Sequence, residues 1–491
     1  MSKNFKILYT ILGFMILARI FGMLSIPLTD TTEARYAHTA LIMAMSGDWI
    51  TPYYDLDIPF WGKPPFSFWM EAFSINIFGI NDFSARFPAL IFTLMSMRLI
   101  YIYVKRFHSK ESALWAILIY FSFLLTYALS GAILTDPYLT FATTLSMISF
   151  VMLLQKQESY WGYLFFIGLA IGILAKGPLA IVLAGGSIFF WIVFDFKTRF
   201  MKLGMLPWFS GITLMLIISI PWYILAELKT PGFLDYFIIG EHYKRFVDSG
   251  WSGDLYGVAH KKFHGMIWLM WILSTLPWVF LVFSSIIKHI KKKPNLFSTL
   301  KQNSIISYFI MWSIFTMTFF TLSGNVLWTY NLPALPALAI LIALLLEKSS
   351  FTVKLFSKNI AYGLILFIPL LLFIANIYII AKPDAINSDK FLIQHYQNIN
   401  TTKAKIYYIA ERPFSAQYYS WDEAILVSSN DTMKRKSLKI DYTTFEKQLN
   451  ASQANAYIVV GNGNIENFKT HFKYKLIEKF QNKNRTLFQV Q

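Results

Sequence analysis

Pro27-Leu28-Thr29-Asp30-Thr31-Thr32-Glu33-Ala34-Arg35-Tyr36-Ala37, then Ser46-Gly47-Asp48-Trp49, then Phe60-Trp61-Gly62-Lys63-Pro64-Pro65 gather acids, bases and aromatic rings in one loop between two apolar runs. The run before it covers about Ile7 to Leu24, and the run after it about residues 84–104. Tyr36 to Met45 reads as an amphipathic helix of the kind that lies along a bilayer interface. Pro64-Pro65 halts the chain and then starts a further helix, Phe66 to Phe78, studded with aromatic residues. Such a loop is suited to rest on a membrane surface.

The rest of the 491-residue chain supports that setting: 56% of it is hydrophobic and 14% charged, against about 25% charged in an average soluble domain. Eleven apolar runs can be counted, at about 7–24, 84–104, 112–132, 137–154, 160–174, 178–195, 204–226, 265–287, 303–322, 328–347 and 359–381. At roughly 20 residues per crossing they use on the order of 220 residues, so more remains than connectors need. The first run follows Lys3 and Lys6 but lacks a small-residue cleavage site and contains Arg19, so it reads as an uncleaved anchor. Zero cysteines exclude disulfides, thiolate metal sites and thiol nucleophiles. The net charge of +17 points to orientation in the membrane and to anionic lipid, with no nucleic acid partner.

Lys and Arg concentrate at 105–110, 197–202, 288–301 and 348–358. With eleven crossings and a cytoplasmic N-terminus, all four loops fall on the cytoplasmic side. Residues 25–83, 227–264 and the tail after 381 then face outward, away from the cytoplasm, with the tail expected to form a C-terminal domain outside the membrane. The division expected is 1–381 for the membrane domain and 382–491 for a soluble one. In the tail, short runs such as Ile406-Tyr407-Tyr408-Ile409, Ala424-Ile425-Leu426-Val427 and Ala456-Tyr457-Ile458-Val459-Val460 alternate with helix-like stretches, as in a small α/β domain. The fold class expected is thus an α-helical polytopic membrane protein with about eleven transmembrane helices plus that α/β module.

Each polar residue of the first loop has a plain explanation on its own. Asp30 could cap the next helix, Glu33 and Arg35 could be first-turn charges, Lys63 could snorkel, and Trp49 and Trp61 could belong to an aromatic belt. Yet the same chemistry recurs at other outer span ends: Asp136 before Pro137, Lys176 in Ala175-Lys176-Gly177-Pro178, Glu241-His242-Tyr243-Lys244-Arg245-Phe246, and Tyr330 in Leu327-Trp328-Thr329-Tyr330-Asn331-Leu332-Pro333. Carboxylates with several cations at a bilayer surface suit a lipid phosphate, which the cations hold while an acid acts as general base.

In order, Thr32-Glu33-Ala34-Arg35-Tyr36, Ser46-Gly47-Asp48-Trp49, Lys63-Pro64-Pro65, Phe78-Gly79-Ile80-Asn81-Asp82-Phe83 and Ala175-Lys176-Gly177-Pro178 resemble the GT-C membrane glycosyltransferases, near the aminoarabinose–lipid A transferases and bacterial relatives of protein O-mannosyltransferases. The resemblance covers about residues 1–350. It implies a GT-C fold and transfer of a glycosyl unit from a polyprenyl-phosphate-linked donor to a lipid A, glycan or protein acceptor at the periplasmic face, with inversion. It further implies a first-loop catalytic acid, a second acid at Asp136, and phosphate contacts from Arg35, Lys63, Lys176, Arg245 and Tyr330. The family's Asp before the Glu is Thr32 here, so the acid is Asp30, two residues earlier, or Glu33. A cationic contact is also missing before Tyr330, where Ser323-Gly324-Asn325 stands.

No cofactor is implied beyond the lipid-linked sugar as substrate. Glu241 and His242, with His260 or His264, offer substrate contacts or divalent-cation ligands by type, but their spacing defines no metal site. A flippase or transporter of lipid-linked sugars would use similar cations, yet would need ionisable residues near mid-bilayer, where the spans offer few beyond Arg19 and Arg98.

Overall fold

A computed structural model of the chain describes residues 3–257, 260–292, 296–348, 358–428, 439–452 and 455–491. Lys293 and Lys354, which contribute to the charge pattern above, lie outside them. The chain forms two compact units. One comprises residues 1–23, 61–67 and 86–374, and the other residues 24–60, 68–85 and 375–491.

The first unit is helical. Every expected apolar run has a helical counterpart, and among the described residues seven helices are long and apolar enough to cross a membrane: Phe5–Ser25, Asp82–Phe107, Asp136–Lys156, Trp208–Lys229, Ser304–Thr321, Trp328–Glu347 and Asn359–Ala381. Tyr160–Lys176 and Leu179–Val193 are apolar but shorter. The run expected over 112–132 is two helices, Lys110–Ser122 and Leu124–Leu129, separated by Phe123 in extended conformation. The run over 265–287 likewise divides into Met266–Ser274 and Val279–Lys292 around Pro277, whose ring cannot supply a helical N–H.

Asp136–Lys156 is the most buried of these helices and packs most extensively on Tyr160–Lys176. That closeness needs Gly168, where a Cβ would fall 2.3 Å from the Ser146 hydroxyl. Because the two helices form a hairpin, the start of one and the end of the other share one end of the unit. Pro137 in the first turn of the former suits that start.

The second unit contains a six-stranded sheet of order β5-β4-β3-β6-β8-β7, with β3 Lys405–Ile409, β4 Ile425–Val427, β5 Lys439–Ile440, β6 Ala456–Gly461, β7 Leu476–Gln481 and β8 Arg485–Val490. The first four strands in that order are parallel to one another, and β8 pairs antiparallel with both β6 and β7. Parallel strands are covered on both faces, so these strands read as unbroken apolar runs whose successive residues pack to opposite sides. Ile406, Tyr408, Tyr457 and Val459 pack with helices Lys390–Ile399 and Phe414–Tyr419, while Tyr407, Ile409, Ile458 and Val460 pack with Phe445 and Leu449 of Tyr442–Ala451. A two-stranded ribbon, β1 Tyr53–Asp55 and β2 Ile58–Pro59, belongs to the same unit.

The helix expected to lie along the bilayer runs from Thr32 to Ser46, but nine of its residues from Ala34 to Met43 are buried within the second unit. Ala37, Ala40, Leu41, Ile42 and Met43 leave it no continuous polar face, so it is a core helix. Ser46-Gly47-Asp48-Trp49 is its stop: Gly47 adopts the left-handed conformation at φ 68° and Asp48 Oδ1 accepts the backbone N–H groups of Ile50 and Thr51. The expected boundary at 381/382 lies at the end of helix Lys358–Ala381, whereas the compact grouping divides the chain at 374/375 and also joins residues 24–60 and 68–85 to the tail.

Candidate functional site

Within the first unit, the helical hairpin brings Asp136 and Lys176 together, with Nζ donating to Oδ1 at 2.7 Å between two nearly buried side chains. The Lys176 ammonium also lies 4.8 Å from the centre of the Tyr330 ring. Gly177 completes the step. Its φ of 72° is unfavourable for other residues, and a Cβ there would stand 2.8 Å from Phe237 and 2.9 Å from His242 Nε2.

The facing element is a ten-residue π-helix, Asp235–Lys244, continued by Arg245–Val247. Its wide turn puts His242 between two carbonyls, with Nδ1 2.8 Å from Phe237 O and Nε2 3.1 Å from Lys176 O. Burial holds the His242 imidazole below its ordinary pKa, so one nitrogen donates and the other faces a carbonyl oxygen. Glu241 is the hub. Arg245 Nη1 donates to both of its oxygens at 3.0 Å, Lys63 Nζ donates to Oε2 at 3.2 Å, and Tyr236 donates to Oε1 at 3.3 Å. Burial alone would raise the Glu241 pKa, but Lys63 and Arg245 outweigh it and keep the carboxyl ionised. Arg245 also pairs with Asp254 at 3.2 Å, and despite burial its carboxylate partners raise its pKa above the ordinary value.

Lys63 reaches this group from the seven residues Trp61–Ser67. Trp61 anchors them, its Nε1 donating to Thr230 Oγ1 and its backbone N–H to the Tyr256 hydroxyl, both at 3.1 Å. Asn325 secures the other side: Nδ2 donates to the carbonyls of Arg245 and Asp248 at 2.7 Å, and Oδ1 accepts from Gly250 N at 3.0 Å. The charges of Lys63 and Arg245 act on both Lys176 and Tyr330, so the two groups of side chains form one electrostatic cluster. Lys63, Asp136, Lys176, Glu241, His242, Arg245 and Tyr330 are thus brought together.

Tyr236, Asp254 and Asn325 join that cluster unanticipated, since no periodicity links positions so far apart. Among the described residues, no group of three or more His, Asp or Glu gathers to hold a metal ion. His264 Nδ1 faces Thr321 O at 3.2 Å instead.

Asp30, Glu33 and Arg35 belong to the second unit and have partners there. Asp30 accepts from Ser415 N at 3.0 Å and from the Ser415 hydroxyl, so it does not cap the helix that follows it. Burial raises its pKa to about 6 against the opposing effect of those bonds. Glu33 Oε2 accepts from Thr29 N at 3.1 Å, and Arg35 lies over the rings of Tyr36 and Phe60. Two further first-loop acids follow Asp30 in binding the tail: Asp55 pairs with Arg412 at 3.1 Å, and Asp82 accepts from Lys390 Nζ and the Tyr419 hydroxyl.

Residues 27–237 match the family described as dolichyl-phosphate-mannose-protein mannosyltransferase. An undecaprenyl phosphate-α-4-amino-4-deoxy-L-arabinose arabinosyl transferase of Wigglesworthia glossinidia brevipalpis is 31% identical over 358 residues, 72% of this chain and 60% of that protein. The transferase of the same name from Yersinia pestis (strain Pestoides F) is 26% identical over 343 residues, 67% of this chain and 57% of that one. The chain therefore spans about 60% of the length of the curated relatives it matches. ArnT from Cupriavidus metallidurans bound to undecaprenyl phosphate superposes with a TM-score of 0.80 at 16% identity, covering 99% of this chain and 98% of that one. The apo structure of ArnT gives a TM-score of 0.76. This chain is a multi-pass inner-membrane protein of the GT-C fold that resembles the undecaprenyl phosphate-aminoarabinose transferases in sequence and in structure.

Proposed function

We propose that this protein is a polyprenyl-phosphate-sugar-dependent glycosyltransferase. It moves a glycosyl unit, by the relatives' example an amino sugar, from a polyprenyl phosphate to lipid A or another glycan or protein acceptor. The observation that carries this reading is the convergence of Lys63, Lys176 and Arg245 with Tyr330 around two buried carboxylates. No nucleotide is needed, because the phosphate already bonded to the sugar is a competent leaving group. The acceptor oxygen attacks the anomeric carbon, the carbon–oxygen bond to phosphate breaks, and its electron pair stays on the phosphate oxygen. Lys63, Arg245 and the Tyr330 hydroxyl meet that developing charge, each such donor contributing about 3–4 kcal/mol in a pre-organised site.

Asp136, fixed by Lys176, is the carboxylate of this cluster placed to receive the acceptor's proton when the acceptor is a hydroxyl. An ionised phosphate acceptor needs no base. Asp30, bonded through both oxygens to Ser415, serves as an anchor of the second unit, which leaves Glu33 as the first-loop alternative. The lysine-rich loops support a cytoplasmic N-terminus and an outward-facing region after residue 382.

The test is transfer of label from a polyprenyl-phosphate-linked sugar by the purified protein, compared with Lys63→Ala and Asp136→Asn. We expect sugar release by the unsubstituted protein and losses of about a hundredfold or more in both variants. Equal turnover in all three would remove the site assignment. Failure to release sugar from any lipid donor would overturn the enzyme reading.

A further inference from the structure

Resting on that transferase reading, we propose that Glu241 is an internal competitor for the cations that hold the lipid phosphate, and that it biases the site against retaining the polyprenyl phosphate left behind by transfer. Its carboxylate takes both of its Arg245 bonds and its Lys63 bond from the two groups that an incoming phosphate must also use. It is only 5% exposed, so its charge acts on the site with little screening by water.

Among the described residues of this cluster the ion pairs are balanced. Lys63, Lys176 and Arg245 face Asp136, Glu241 and Asp254 in pairs already made. A site built solely to grip an anion would leave its cations in excess. Here the phosphate must share Lys63 and Arg245 with a carboxylate fixed by the π-helix and by the Tyr236 hydroxyl.

The consequence follows from the charges of the two lipids. The donor is a phosphodiester with one negative charge, whereas the product is a monoester carrying about −1.5 to −2 at neutral pH. Two cations without a competitor would bind the product more tightly than the donor and slow its departure. Repulsion from Glu241 grows with the charge of the ligand, so it weakens product binding more than donor binding. Glu241 does this by holding Lys63 and Arg245, which makes it a positioning residue.

The experiment uses the full chain in detergent, with polyprenyl phosphate as probe, for the unsubstituted protein, Glu241→Gln and Glu241→Asp. Binding of polyprenyl phosphate, and its inhibition of transfer, are expected to tighten about tenfold or more in the Gln variant, the scale of one charged hydrogen bond. KM for the donor should fall by less, kcat should fall as release slows, and the shorter Asp side chain should lie between. If the Gln variant does not fold, tighter product binding by the Asp variant alone supports the proposal. Unchanged or weaker product binding in whichever variants fold overturns it, and a merely structural role would give the weaker result. Binding is read without turnover: a protein that binds polyprenyl phosphate but transfers no sugar sinks the transferase reading while the Glu241 comparison still stands. A protein that binds no polyprenyl phosphate sinks both.

Discussion

Asp30 is the residue at which chemistry read from the chain and chemistry read from the fold diverge. It was a candidate base because a Thr stands where the family has an Asp, but its carboxylate bonds to Ser415, 385 residues away, and no local pattern announces such a partner. Its folded pKa of about 6 exceeds the ordinary 3.8, so the folded state favours the protonated acid. The stabilisation this gives is fully present below about pH 4, declines as pH rises towards 6 and is gone above it, a change of about 3 kcal/mol. Melting of the purified protein from pH 4 to 7.5 should therefore fall more steeply than that of Asp30→Asn between pH 4 and 6, and run parallel to it above 6. Identical profiles would contradict the burial of this acid. Lys63, Arg245 and Tyr330 were legible as types near span ends, whereas Tyr236, Asp254 and Asn325 were not. Their roles come from contacts that only the folded chain creates.

Among the elements, the hairpin of Asp136–Lys156 and Tyr160–Lys176 was largely readable: two apolar runs, a short connection, and charged residues left at a shared end. The π-helix was not, because an i to i+5 turn leaves no period in the sequence that distinguishes it from an α-helical one. Lys176→Met should strand the buried Asp136 and cost about 3–5 kcal/mol. Adding Asp136→Asn should restore much of the melting temperature without restoring transfer, which separates the structural part of the pair from the chemical part. Gly177→Ala should lower both melting temperature and turnover, since its Cβ would press on Phe237 and His242 in an unfavourable backbone conformation. An Ala variant with unchanged kinetics would mean that the close approach does not govern the site.

At the scale of the whole molecule, hydropathy located the helical runs, and unbroken apolar runs in the tail located strands β3, β4 and β6, because burial on both faces of a parallel sheet writes itself into sequence. The partition of the first loop was hidden. Lys63 sits in a seven-residue stretch of the first unit, yet the residues on both sides of that stretch belong to the second. Arg412→Met, which strands Asp55 within the second unit, should lower stability by about 3–5 kcal/mol and expose residues 24–60 to limited proteolysis. The absence of cysteine makes topology directly measurable. In intact cells an impermeant thiol reagent should label Asn400→Cys and spare Lys197→Cys. The reverse pattern would invert the sidedness.

The central claim is that one lipid phosphate is held by residues from three separate parts of the first unit. A polyprenyl phosphate carrying a photoreactive group beside its phosphate, crosslinked to the purified protein and mapped by mass spectrometry, addresses it most directly. Adducts should concentrate within Trp61–Ser67, Asp235–Val247 and Trp328–Ala334, and should be lost when unlabelled polyprenyl phosphate is added in excess. Adducts confined to other helices, or insensitive to the competitor, would contradict the account.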